Sequence, residues 1–360
     1  MVWRTKDVGD FVNKTFVSYR VTPSDEEWGP VKEKLNTLGT PTVVLLKSNG
    51  EEIDRICGFE GEKDEYLQTI KDYSAGKNTI SVFLSRLEKD PESVDFNFKV
   101  GKRYVDRWQL DQAHPYLTKV LALDPKDTKG FKAEATYNLA EFELRNNKNV
   151  VPMQKFIVNT KDEKFLSQGY SFLAFHYLGQ NDKEKAVEIV KEALTRLPDN
   201  MNMQAQYASI IFRGRMKSKY PEAAEIAKKL TASDSEQLAQ AGYYFLLQHS
   251  RATKNTDQMF ETYDQAIQKF PDSTMFLEGY AKDVYRKKLS DKYDRAIEMT
   301  KKALEIDPKS SSAWDTLGKL YKEKGNLEKA VSAIEKAVEI NPENKSYART
   351  LEKFKAEMNQ

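Results

Sequence analysis

The feature that most constrains this chain is a period near its C-terminal end. With Ser311 as position 1 of a unit of about 34 residues, Trp314 falls at position 4, Leu317 at 7, Gly318 at 8 and Tyr321 at 11. Ala330 then stands at 20, Ile334 at 24, Ala337 at 27 and Pro342 at 32. Small residues at 8 and 20 allow two antiparallel helices to approach closely, and the large residues fill the space between them. A proline at 32 stops the second helix, because it cannot continue the hydrogen-bond ladder. Upstream, the same template finds Tyr170, Leu173, Ala174, Tyr177, Ala186, Val190, Ala193 and Pro198 from Ser167, and Val100, Gly101, Tyr104, Ala113, Leu117, Val120 and Pro125 from Val94.

This pattern resembles the tetratricopeptide repeat. Two further units have a longer inter-helix turn: Ala208 to Ala223 and Ala281 to Ala296 are 15 apart, where the template has 12. The additional residues fall in Lys217-Ser-Lys-Tyr220 and Leu289-Ser-Asp-Lys-Tyr293. A unit around Gly242, Phe245, Tyr263, Ala266 and Pro271 fits with a still longer turn. The segment 130–165 fits worst, with a helix from Phe131 to Leu144 followed by one that Pro152 would break. About seven units over 94–344 are expected, closed by a capping helix in 345–360.

The first 75 residues read differently. Phe16-Val-Ser-Tyr-Arg-Val21 alternates and is β-rich, which predicts a strand. Asp25 to Leu38 has helical spacing, Thr42 to Lys47 is an apolar run of strand length, and Asn49-Gly50 marks a hairpin turn into Glu52 to Cys57. Glu62 to Tyr73 is an amphipathic helix. With Gly39-Thr40-Pro41-Thr42 before the second strand and Gly58 after the last, this βαββα order resembles the C-terminal half of a thioredoxin fold. That resemblance implies a cis peptide bond at Thr40–Pro41. It also implies that the chain begins shortly after the point where a CxxC motif would stand. A misplaced start, a truncation and loss of the motif all account for this. The fold class is therefore α+β: an incomplete thioredoxin-like domain (1–75), a linking helix (76–93), the repeat superhelix (94–344) and the cap (345–360).

Composition narrows the chemistry. Charged residues reach 31% of 360, yet the net charge is only +2, which disfavours a nucleic-acid binder. The single cysteine, Cys57, cannot form an internal disulfide or a CxxC pair, and its simplest role is a small apolar residue. The three histidines are too scattered in sequence to form a recognisable ligand motif. No phosphate-binding glycine loop, nucleophile elbow or His-Glu-x-x-His motif occurs. The expectation is no enzyme as sequenced, no cofactor, no metal, no membrane span, and a cytoplasmic location.

In tetratricopeptide arrays, positions 2, 5, 9 and 12 of the first helix line the concave face. By that resemblance the candidate peptide groove comprises Gln168, Ser171 and Phe175, then Tyr243, then Glu278, Lys282 and Tyr285, and finally Asp315, Lys319 and Lys322. Its middle would be aromatic and its end lysine-rich. The Lys and Asn set of chaperone-binding clamps is absent. The expected function is a scaffold, adaptor or chaperone-like binder of a protein or peptide, with a redox-silent thioredoxin-like part. The alternatives are a thiol–disulfide oxidoreductase lacking its CxxC-bearing N-terminus, and a structural subunit. An exposed sheet edge would favour self-association or a partner that donates a strand.

Overall fold

The computed structural model describes residues 5–23, 25–37, 39, 41–58 and 61–358. The chain divides into two compact units, residues 1–180 and 181–360.

The first unit opens with α1 (Lys6–Thr15) and α2 (Trp28–Lys34), then a hairpin of β1 (Thr42–Leu46) and β2 (Glu52–Cys57), then α3 (Lys63–Ser74). The hairpin is antiparallel, with Thr42 opposite Cys57 and Leu45 opposite Asp54, and an irregularity between Leu45 and Leu46. Its turn is at Asn49-Gly50, where Gly50 has φ +84°, a conformation only glycine adopts freely. Val8, Leu45, Ile56, Tyr66, Ile70 and Tyr73 form its core. The strand expected over Phe16–Val21 does not form: these residues are irregular, with Val17 and Tyr19 exposed. Alternation supplies propensity, but a strand exists only when its backbone has a partner. Among the described residues the sheet has two strands, β1 and β2, in place of the three expected.

The helices that follow are α4 (Ile80–Lys89), α5 (Val94–Asp106), α6 (Leu110–Leu123), α7 (Lys132–Asn147), α8 (Val151–Asn159) and α9 (Glu163–Gly179). Pro152 does not break α8. It stands in the first turn, where its missing N–H costs nothing. The sheet is tied to these helices by Asp54, which is fully buried on β2. Its carboxylate accepts from the backbone N–H of Ile80 at 2.8 Å, at the start of α4, and pairs with the guanidinium of Arg107, just past α5. Arg107 also lies 3.3 Å from Glu52, and Arg103 of α5 donates to the Tyr73 hydroxyl of α3. The segment 76–93 therefore links parts that are already bonded to each other.

The second unit contains α10 (Lys183–Arg196), α11 (Met201–Gly214), α12 (Tyr220–Thr231), α13 (Glu236–Ala252), α14 (Thr256–Lys269), α15 (Thr274–Lys287), α16 (Tyr293–Ile306), α17 (Ser311–Glu323), α18 (Leu327–Ile340) and α19 (Lys345–Met358). Short polar residues cap many of these helices. Asn200, Ser310 and Asn326, for example, accept from the third backbone N–H of α11, α17 and α18. The longer turns before α12 and α16 are single 3₁₀ turns, Lys217–Lys219 and Ser290–Lys292. The unit around Gly242 differs otherwise: its turn to α14 is short, and α13 itself extends to 17 residues. The final helix caps the array through Phe354, which packs on Ala330, Val331 and Ile334 of α18.

The inter-helix turns share a left-handed residue: Trp108, Lys148, Asn181, Arg215, Lys254, Lys288 and Gly325 all have φ between +55° and +77°. Close approach follows where the template places a small residue. A Cβ on Gly242 would come within 2.7 Å of the backbone oxygen of Ala227 and the backbone nitrogen of Thr231. A Cβ on Gly101 would meet side-chain atoms and no backbone, those of Leu117 at 2.7 and 2.9 Å and the Tyr116 Cβ at 3.4 Å, and side chains can shift where backbone cannot. Gly242→Ala should therefore cost roughly 1–3 kcal/mol of stability by overpacking, whereas in Gly101→Ala the gain in helix propensity of about 1 kcal/mol offsets much of the strain. Urea unfolding of the two variants checks this order, and equal losses would contradict it.

Candidate binding faces

Thr40 lies outside the described residues, so the expected cis bond is not described. Pro41 is at the sheet end, its carbonyl accepting from the N–H of Gly58 at 2.8 Å. Neighbouring Gly39 packs on the Trp108 indole, whose Nε1 lies 3.3 Å from where a Cβ would stand. Cys57 pairs with Thr42 in the sheet register. Burial pushes its thiol pKa up, against a hydrogen bond from Thr42 and the charge of Arg55.

The other expected site residues separate into three groups. In the first unit, Gln168, Ser171 and Phe175 lie on α9, with Gln168 exposed and Phe175 61% exposed. In the second unit, Tyr243 does not line a groove. It is only 9% exposed and packs edge-on against Phe270 and Phe276, inside the core. The template reads one helix at a time, whereas this ring is claimed by Phe270 at the end of α14 and by Phe276 on α15.

Glu278, Lys282, Tyr285, Asp315, Lys319 and Lys322 are brought together on α15 and α17. Lys282 reaches Glu278 at 2.9 Å, and Glu278 also accepts from the Ser310 hydroxyl at 2.9 Å, so α15 is tied to the cap of α17. Lys319 bonds Asp315 at 2.6 Å and lies over the Tyr285 ring, 5.9 Å from its centre. Lys322 bonds Glu357 of α19 at 2.9 Å. The end expected to be lysine-rich is thus a neutral lattice in which every lysine named here has a carboxylate.

Sequence reasoning missed two polar sets. The first ties α13, α14 and α15: Arg251 donates to Asp283 at 2.8 Å and to the Tyr263 hydroxyl at 2.6 Å, and that hydroxyl donates to Asp283 at 2.8 Å. Burial pushes the Tyr263 hydroxyl pKa up. The second lies on α5, α7 and α9. Lys102 bonds Glu134 at 2.6 Å with Asp106 at 3.8 Å. Desolvation raises the Asp106 carboxyl pKa although lysine and arginine neighbours oppose the shift, while its side chain stays 44% exposed. Further along α7, Arg145 bonds Glu141 through Nε at 2.7 Å, and its guanidinium lies 4.4 Å from the Phe172 ring centre and 5.3 Å from that of Trp108. The spacing of Glu134, Glu141 and Arg145 on one helix face could have marked this row. It went unread because 130–165 fits the template worst.

Among the described residues, no group of three or more His, Cys, Asp or Glu side chains is placed to hold a metal ion. Also among them, no helix is long and apolar enough to cross a membrane.

Tetratricopeptide-repeat family models match residues 238–273 and 289–353. These two stretches are tetratricopeptide repeats. The chain is 25% identical over 232 residues to human mitochondrial import receptor subunit TOM70, a stretch covering 60% of this chain and 36% of that protein. It thus spans about a third of the length of that curated relative. Solved structures of other proteins are also similar, two among them as follows. Yeast Tom70 has a TM-score of 0.46 at 14% identity, covering 95% of this chain and 67% of that one. A tetratricopeptide repeat protein from Parabacteroides merdae has a TM-score of 0.43 at 17% identity, covering 72% and 98%.

Two outcomes follow. Tyr243→Ala should lose about 3–5 kcal/mol as a core truncation, while Phe175→Ala should stay within about 0.5 kcal/mol of the parent. Thermal or urea unfolding separates them, and a stable Tyr243→Ala would put that ring back on a surface. Cys57, its thiol pKa raised, holds less thiolate at neutral pH than a free cysteine. Iodoacetamide should therefore label it slowly at pH 7.5 and faster as pH rises past 9, as mass spectrometry would follow.

Proposed function

We propose that the chain is a protein-binding scaffold that holds extended or partly unfolded segments on the first-helix faces of its repeats. The observation that carries this reading is the exposure of large aromatic side chains beside those helices, Phe175 at 61% and Trp108 at 50%. Aromatics give contact area at low entropic cost, which suits a ligand without fixed structure. The similarity to a protein named as an import receptor subunit supports the same reading, as do the matched repeats.

The N-terminal hairpin and helices act here as a non-catalytic, thioredoxin-like support for the first repeats. Their hydrogen bonds run to α4 and α5, and their one cysteine carries a raised thiol pKa. The scaffold would work without turnover or cofactor, in the cytoplasm.

The test is suppression of aggregation of a reduced, unfolded client such as α-lactalbumin, run beside an insulin-reduction assay. Expected is suppression that saturates near one chain per client, weakened several-fold in Phe175→Ser, with no disulfide reduction. Catalytic reduction, or aggregation unaffected by stoichiometric protein, would sink the reading.

A further inference from the structure

Arg145 is held in a manner that leaves its recognition surface free. Its Nε is occupied by Glu141, and its planar group rests against the rings of Phe172 and Trp108. Its two terminal nitrogens make no hydrogen bond among the described residues, and the side chain remains 39% exposed. A guanidinium fixed in this way has already lost its rotamer entropy, and the nitrogens left over form the fork that matches a carboxylate.

The surroundings favour an anion. Glu141, the nearby acid, is largely buried and turned to Nε, and after burial itself it is the main group that pushes the Tyr137 hydroxyl pKa up. Lys148, one turn on, bonds the Arg145 backbone carbonyl at 2.8 Å and adds a second positive charge. The apolar flank is built in as well. Trp108 is half exposed and takes a left-handed φ of +60°, which is unusual for so bulky a residue. The other repeats fill that turn with lysine, arginine, asparagine or glycine. An indole there covers Gly39 with one part and offers the rest beside Arg145.

We infer that Arg145, with Trp108 and Phe172, is a subsite for an acidic side chain flanked by an apolar residue in an extended protein segment. The carboxylate takes the free fork of Arg145 in a bidentate pair while the apolar neighbour lies on Trp108. This rests on the scaffold reading above and adds the chemistry of what is held. The neutral lattice of α15 and α17 offers no equivalent fork, because Lys282, Lys319 and Lys322 are each spent on a carboxylate.

The experiment measures fluorescence anisotropy of labelled, C-terminally amidated nonapeptides at low ionic strength. One carries a Glu-Phe-Glu core and one a Gln-Phe-Gln core. The Glu peptide should bind at least about tenfold more tightly, in keeping with a charged hydrogen bond, and should weaken as salt is raised. Arg145→Gln should abolish that preference. Arg145→Lys, which keeps the charge but loses the fork, should lose most of it, with circular dichroism reporting the fold of both variants. Equal binding of the two peptides overturns the inference without needing any variant, as does a preference that survives Arg145→Gln. Binding confined to a Gln-Phe-Gln peptide with a free C-terminal carboxylate overturns it too, in favour of chain-end recognition. If α-lactalbumin is held while the two amidated peptides bind alike, the subsite falls and the scaffold reading stands. If neither peptide nor client is held, both fall.

Discussion

Close contact between antiparallel helices is the constraint on which the array depends. It requires a residue without bulk at one point of each first helix, and glycine or alanine supplies it at Gly101, Ala174, Ala208, Gly242, Ala281 and Gly318. At Gly242 the neighbouring backbone comes so near that no side chain fits, and at Gly318 a Cβ would meet Ile334 and the Ala330 carbonyl. Everything larger is arranged around those contacts. Tyr207, Tyr263 and Tyr280 are fully buried in the second unit, and their hydroxyls reach polar partners such as Glu222 and Asp283. Buried phenols tolerate this environment because those partners satisfy them.

The repeat was legible because it rests on local rules. Spacing, a stopping proline and a small residue each act within one helix pair, so the sequence alone placed the 3₁₀ insertions at Lys217–Lys219 and Ser290–Lys292 and the last helix at Lys345–Met358. The hairpin at Asn49-Gly50 was legible for the same reason. Phe16–Val21 was not, since a strand is decided by a second strand and alternation does not say whether one is present.

The candidate site shows the same division. A template states which way a side chain points on an isolated helix, and Phe175, which it turns outward, is exposed. It failed for Tyr243, whose ring is drawn between helices by Phe270 and Phe276, residues of the following elements. It was also blind to pairing. Lys319 and Asp315 are four apart on one helix and meet at 2.6 Å, which removes the charge that the lysine alone would lend to the face. Arg145 escaped notice for the opposite reason: its partners, Trp108 and Phe172, come from two other segments of the chain.

The buried carboxylate of Asp54 carries a consequence for the history of such a chain. Repeat proteins are usually lengthened or shortened at their ends by exchange of whole modules, because each module contacts only its neighbours. Here a break between the hairpin and α4 would leave the guanidinium of Arg107 in the interior without its counter-charge, and the first amide of α4 without its acceptor. The N-terminal piece and the helices behind it are therefore inherited most easily as a single block. Gene-level shuffling should find its tolerated joints further along, in the turns between later repeats.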